Sequence, residues 1–350
     1  MSALYPLALE ASEHELIWGG RALVERYGKQ AAPGAAIGES WECFDTNRIE
    51  NGAFTGKTLG DVRVHLGAEL MGAADSAQPF PLLTKIIDAR QALSVQVHPD
   101  DAYARRVEHQ PVGKTECWYV LEAEPDATIV LGWNRDTSRD EYLTRVRDGS
   151  LGELLRHVPA RPGDVFHLPA GTMHAIGAGI VLFETQQTSD LTYRIFDYNR
   201  IDPTGKPREL HVEKAADVLD YRQGRRGVLA PLRYVLAGVE RTVFVADQHF
   251  TVERVELVSE RHEIDLDGMP LVVFALDRPI ELEARGIRLR LAPYCSAVVP
   301  AGLESVMCAA LDGNAAIVTG APPHDRYVLE RRFSRAGIPV DESTAFLAQF

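Results

Sequence analysis

Hydrophobic and polar residues alternate in short runs along most of this chain. ATIVLGW (127–133), GDVFHLPAG (163–171), GIVLFETQ (179–186), LVVFALD (271–277) and AAIVTG (315–320) are rich in β-branched residues and are separated by Gly, Pro and Asp, the pattern of strands joined by turns. Many short strands of this kind predict sandwiches or jelly rolls. Three stretches carry helical signals instead: LGDVRVHLGAELMG (59–72), DDAYARRVE (100–108) and 138–158, the last opening on Ser138-x-x-Glu141 in capping-box spacing. The expected class is mainly β with small helical insertions.

The segment 206–227 (KPRELHVEKAADVLDYRQGRRG) is polar and charged and is followed by a fresh series of strands. A boundary near residue 230 is therefore expected, giving two β-domains, 1–230 and 231–350. An internal echo links them: Pro162–Ile176 can be laid over Pro293–Met307 with Pro169-Ala170-Gly171 on Pro300-Ala301-Gly302, and His174 then falls opposite Ser305. If the halves share a fold, the second has lost the imidazole, so metal chemistry belongs to the first alone. The second half contains His262 but no clustered ligand spacing, and a structural role is expected for it.

Charge narrows the partners. With 37 Lys and Arg against 50 Asp and Glu, the net charge is -13, which argues against nucleic acid and anionic membrane surfaces, because both need clustered cations. A small phosphorylated molecule needs only one or two. Cys43, Cys117, Cys295 and Cys308 are scattered without CxxC spacing, so neither a disulfide framework nor a thiolate zinc site is indicated. The first twenty residues lack a basic start followed by a long apolar stretch, and no run approaches the roughly 18 apolar residues of a spanning helix. A cytoplasmic location is expected, and the sequence leaves monomer and homodimer open.

Four segments carry candidate chemistry. In ALSVQVHPDD (92–101), alternation sends Leu93, Val95 and Val97 to one face of a strand and Ser94, Gln96 and His98 to the other; solvent exposure is the plain alternative for any one of these polar residues. In GKTECWYVLEAE (113–124), Lys114, Glu116 and Trp118 share a face, which fits a lined pocket or, more plainly, an exposed ion pair. LPAGTMHAIGAG (168–179) is a turn that delivers His174 to the start of an apolar strand. Together Gln96, His98, Glu116 and His174 offer two imidazoles, a carboxylate and an amide oxygen, a mixed set suited to a divalent transition metal with an open position. In QQTSDLTYRIFDYNR (186–200), Asp190, Thr192 and Arg194 lie at spacing two. Arg194 is suited to hold an anion or to stabilise developing negative charge, and an ion pair with Asp197 or Asp190 is the alternative.

LSVQVHPDD (93–101), GKTECWYVL (113–121), PAGTMHAI (169–176) and SDLTYRIFDYNR (189–200), with WGG (18–20) and GESWE (38–42) upstream, resemble the type I mannose-6-phosphate isomerase family in its short bacterial branch. The resemblance runs in order over roughly residues 15–215; the C-terminal third carries no comparable motif. It implies a cupin fold of two jelly rolls with one Zn2+ in the first, ligated by Gln96, His98, Glu116 and His174. It also implies Lys114 and Arg194 as catalytic and substrate-binding cations, with Asp190 matching a nearby acidic residue of the family. The interval between Glu116 and His174 is too short for the large helical insertion of the longer branch.

The implied reaction interconverts mannose 6-phosphate and fructose 6-phosphate through a cis-enediol. Such chemistry needs a site that binds adjacent oxygens, stabilises an oxyanion and moves protons. On the sequence, Lys114 and His98 are both open as proton carriers, His98 and Asp190 as groups for ring opening, and Ser94 as a phosphate contact. Two rivals are a cupin oxygenase using iron on the two-His-one-carboxylate set, disfavoured by Gln96 and the flanking cations, and a non-catalytic phosphosugar-binding cupin.

Overall fold

The computed structural model describes residues 4–201, 205–223 and 227–350. Contacts divide the chain into two units, one holding the residues up to Ser12 with Trp41–Lys85 and Ala230–Phe350, the other Glu13–Ser40 with Ile86–Leu229. A division does fall at 229/230, but a single cut there does not describe the units, because early segments join the late one. Strand pairing is the reason: Leu7–Leu9 runs antiparallel to Ser296–Val299, with Leu7 opposite Val298.

The unit that carries the candidate residues is built on antiparallel strands. Tyr193–Phe196, Val95–Val97, His174–Ile176, Thr128–Trp133 and Leu155–Pro159 form one five-stranded sheet in that order. In a second sheet Glu116–Ala123 pairs with both Ile180–Gln187 and Val165–Leu168. Ile129, Leu131 and Ile176 of the first sheet share a buried cluster with Trp118, Val120, Phe166, Leu168, Ile180 and Leu182 of the second, so the core lies between the two. The opposite side of the five-stranded sheet, with Val95, Val97, Val130, Tyr193 and Ile195, is covered by Tyr142, Ala215 and Ala216 from the helices Arg139–Asp148 and Val212–Val218. Leu93 lies outside its strand and joins the inner cluster, not the face of Val95 and Val97 that alternation assigns it.

In the other unit a seven-stranded sheet and a four-stranded sheet make a second β-structure. The internal echo is visible here at constant offset: strands Val165–Leu168 and Ser296–Val299 each lead through a Pro-Ala-Gly turn to strands that begin at His174 and Ser305. Ser305 donates its hydroxyl to Glu263 at 2.6 Å, so the position of the imidazole is filled by a surface hydrogen bond.

The helical expectations hold in part. Leu59–Leu66 and Ala68–Met71 are separate helices because Gly67 breaks between them at φ 53, and Thr58 with Asp61 forms the reciprocal capping box. Ser138 does cap Arg139–Asp148, but Glu141 turns to Arg135 and Thr137, and 155–159 is a strand, not a continuation of the helix. Within the charged stretch before 230 lies the helix Val212–Val218, and two more, Arg326–Arg335 and Val340–Leu347, pack Leu329, Phe333, Phe346 and Leu347 against Leu232, Tyr234 and Val243. Their dense charge hides a narrow apolar stripe from a reading by alternation.

Arg332 also bonds the buried Glu253 at 2.6 Å and Asp267, while Arg241 reaches Glu253 at 3.1 Å. Burial alone would raise the Glu253 carboxyl, but Arg332 and Arg241 outweigh it and hold it below its usual 4.5. Its stabilising contribution is thus present above pH 4.5 and is lost as pH falls through the lower folded value. Arg332→Ala leaves the buried Glu253 carboxylate to Arg241 alone, a loss of up to about 3–5 kcal/mol. A thermal melt at neutral pH should show a midpoint lower by on the order of 10 °C, with the deficit shrinking as acid protonates Glu253.

Candidate metal centre

Register places three of the candidate side chains in one row. Gln96 pairs across its strand with His174 on one side and Arg194 on the other, and directly paired residues project from the same face. Their neighbours Val95, Val97, Ala175, Tyr193 and Ile195 belong to the outer cluster, so the row faces the space between the sheets. From the second sheet Glu116, paired with Gln186 and Leu168, meets this row. His98, Glu116 and His174 are all buried, and one ligand atom from each lies within 4.8 Å of the others.

The turns that deliver these residues are specific. Gly113 lets the chain approach Pro99 so closely that a Cβ would stand 2.3 Å from the Pro99 carbonyl oxygen. The next residue, Lys114, then donates its N–H to that oxygen at 3.0 Å. The aspartates after His98 support this approach. Asp100 caps Asp101–Tyr103, accepting from the Tyr103 N–H at 2.7 Å, and Asp101 accepts from the Gly113 N–H at 2.8 Å. Before His174, Gly171 takes φ +84 and donates its N–H to the His98 carbonyl at 2.9 Å, so the two imidazoles are tied through the backbone as well.

Hydrogen bonds fix both tautomers. His98 Nδ1 lies 2.7 Å from the Leu191 carbonyl and His174 Nδ1 2.8 Å from the Thr172 carbonyl; a carbonyl only accepts, so each ring is protonated at Nδ1 and turns the lone pair of Nε2 inward. His98 Nε2 is 3.3 Å from Glu116 Oε1, and His174 Nε2 is 3.6 Å from Glu116 Oε2. Burial, reinforced by Lys114, lowers His98 to about 3, and burial lowers His174 as well. Burial opposes ionisation of Glu116, yet the Lys114 ammonium beside it outweighs burial and holds the carboxyl well below 4.5. Two neutral rings and a carboxylate thus direct electron pairs at one another. His98 Nε2 and Glu116 Oε2 are buried without a hydrogen-bond partner, while Lys114 Nζ lies 2.7 Å from Oε1; the converging lone pairs are a costly arrangement that a dication at their meeting point relieves.

Gln96 completes the set as an amide. Its Nε2 lies 3.3 Å from His174 Nε2, and its Oε1 accepts from Ser94 Oγ at 3.3 Å; a half-turn of the amide exchanges the two atoms and offers the oxygen instead. Lys114 Nζ is 2.7 Å from Glu116 Oε1, with both side chains buried, so the exposed-pair alternative does not hold. Asp197 is bound by Arg200 at 2.5 Å and by Arg208 at 2.5 Å. Arg194 therefore has no carboxylate partner among the described residues; its Nη1 donates to the Glu209 carbonyl at 3.2 Å, and burial lowers its pKa. Ser94 is buried and Asp190 exposed. Sequence reasoning missed Glu184, which accepts from Trp118 Nε1 at 2.7 Å and so fixes the indole whose ring stands edge-on to His174 at 5.4 Å. The period of two from Gln186 back to Glu184 was the available signal.

A β-structure of two units, one with a buried two-imidazole, one-carboxylate cluster between its sheets, defines a metal-binding cupin. Residues 7–132 match the family model described as phosphomannose isomerase type I, catalytic domain. Mannose-6-phosphate isomerase of Streptococcus mutans is 42% identical over 252 residues, 71% of this chain and 77% of that protein. Mannose-6-phosphate isomerase ManA of Bacillus subtilis is 45% identical over 220 residues, 61% of this chain and 68% of the relative. The crystal structure of the mannose 6-phosphate isomerase from Bacillus subtilis superposes with a TM-score of 0.82 at 31% identity, covering 91% of this chain and 99% of that one. A structure described as holo, zinc-bound mannose 6-phosphate isomerase shares the fold at a TM-score of 0.70 and 17% identity, over 91% of this chain and all of that one. The chain belongs to the type I mannose-6-phosphate isomerase family.

Proposed function

We propose that this protein interconverts mannose 6-phosphate and fructose 6-phosphate with a zinc ion held by His98, Glu116, His174 and Gln96. The observation that carries the reading is the convergence of two lone-pair-bearing imidazole nitrogens on a buried carboxylate, in a chain of this family. The donor set suits zinc with a position left for substrate oxygen. When bound, the ion polarises the oxygens on C1 and C2.

The chain's own residues account for the rest. Removing the C2 proton of the open-chain aldose builds negative charge on O1; the ketose is completed when that proton is returned to C1 and the O2 proton moves to O1. Lys114 is assigned as the group that takes the proton from C2 and returns it to C1, because His98 has one nitrogen on the Leu191 carbonyl and the other in the ligand set. Arg194, with no carboxylate to neutralise it, takes an anionic oxygen of the substrate. Ser94, buried beside Gln96, and Asp190, exposed where the chain enters the Arg194 strand, are assigned to sugar binding. No helix among the described residues is long and apolar enough to cross a membrane, and four cysteines outside any disulfide suit a reducing cytoplasm.

A coupled assay of mannose 6-phosphate turnover on chelator-treated protein tests the reading. Activity should vanish on chelation and return with added zinc. Zinc uptake without turnover of this sugar would overturn it in favour of a phosphosugar-binding cupin.

A further inference from the structure

Tyr193–Phe196 is the outermost strand of its sheet and pairs on one side only, with Val95–Val97. An open edge leaves backbone groups unpaired and free to fray, yet this edge carries Arg194. Its free side is closed by three residues, 209–211. His211 donates its backbone N–H to the Arg194 carbonyl at 2.7 Å, the Arg194 N–H donates to His211 Nδ1 at 3.2 Å, and Arg194 Nη1 donates to the Glu209 carbonyl at 3.2 Å. One short segment therefore grips the main chain and the guanidinium of a single residue.

The imidazole is suited to this task. A ring that accepts at Nδ1 carries its proton at Nε2, and Nε2 stands 4.0 Å from the Glu209 carboxylate, the group that favours a proton there. The Tyr193 ring packs 6.0 Å away. The charged groups facing the ring are Glu209 on its own segment, Arg194 on the strand, Lys214 on the following helix and Glu108. Burial lowers its pKa below 6.5, and Arg194 and Lys214 act in the same direction against Glu209 and Glu108, so the ring is a neutral acceptor at pH 7.

We propose that His211 is a positioning residue for the isomerisation, a side-chain strand partner that holds Arg194 on the row shared with Gln96 and His174. The inference rests on the reading of Arg194 as a substrate-facing cation. His211 touches neither substrate nor metal ligands and acts through Arg194 alone.

The test compares zinc-loaded wild type, His211→Ala and His211→Asn. The asparagine amide oxygen lies near the place of Nδ1 and accepts the same N–H. His211→Ala should lower kcat/KM by roughly 10–100-fold through a misplaced guanidinium, with zinc content unchanged, and His211→Asn should recover to within a few-fold of wild type. Imidazole nitrogen NMR on the wild type should show His211 as the Nε2–H tautomer at neutral pH. An alanine variant as active as wild type, an asparagine variant no better than alanine, or an Nδ1–H tautomer would each overturn the inference. An inactive zinc-loaded wild type would instead remove the functional reading, so the two failures are told apart.

Discussion

His174→Ala takes up almost no zinc and loses at least about 10³-fold in turnover, the scale expected when a metal that supplies several kcal/mol of transition-state stabilisation is removed. The expectation follows from the convergence at Glu116. With the His174 lone pair gone, one imidazole, one carboxylate and an amide remain, a set that has lost one of its two nitrogen donors and leans on a weak amide oxygen. Heat denaturation supplies a readout independent of catalysis. Zinc should raise the melting temperature of the wild type, because a ligand that binds only the folded state stabilises it, and should leave His174→Ala unmoved. A variant that binds zinc as the wild type does would remove His174 from the ligand set.

Lys114→Met separates affinity from chemistry. The ammonium lies 2.7 Å from Glu116 Oε1, so it neutralises a ligand carboxylate and repels an incoming dication. Removing it should leave zinc affinity equal or tighter. Turnover should fall by roughly 10²–10⁴-fold, the range for losing a positioned acid-base group. The metal-free variant should be less stable than metal-free wild type, since Glu116 is left buried and unpaired, and zinc should restore it. Zinc titration beside the coupled assay decides the matter: a parallel loss of zinc affinity and turnover would make Lys114 a structural partner of Glu116 and not a group that acts on the sugar.

The β-character of the chain and the faces of the Gln96 and Glu116 strands were legible because alternation with period two is set by the strand backbone itself. Alternation says which side of a strand a residue occupies, not which strand lies beside it. Nothing local announces that Arg194, Gln96 and His174 fall in one row, because that register is made by residues far apart in sequence. The partners of Asp197 show the same limit. Arg200 stands three residues on and is readable from local spacing, whereas Arg208 stands 11 residues on, a spacing that no periodicity encodes. Alternation left a lined pocket and an exposed pair both open at Lys114, because its burial depends on the close passage of Gly113 against Pro99, a fact about two segments at once. The helices after residue 325 were hidden for a different reason: Arg332 is a buried partner of Glu253, so a charge occupies a position that a reading for apolar periodicity expects to be hydrophobic.

The pairing of Leu7–Leu9 with Ser296–Val299 joins residues about three hundred positions apart. On a ribosome the first of these strands emerges long before its partner exists, whereas all the segments of the unit built from 13–40 and 86–229 are available once residue 229 has left the exit tunnel. The order of synthesis therefore favours completion of the metal-binding unit first, with the amino-terminal strand held open until the last third of the chain appears. Closing so long a loop carries an entropic cost that local contacts do not offset in advance. The slowest step of folding is thus assigned to the unit without the metal site, and a chain stopped near residue 230 would keep its chemistry-bearing residues while leaving Leu7–Leu9 without its partner Ser296–Val299.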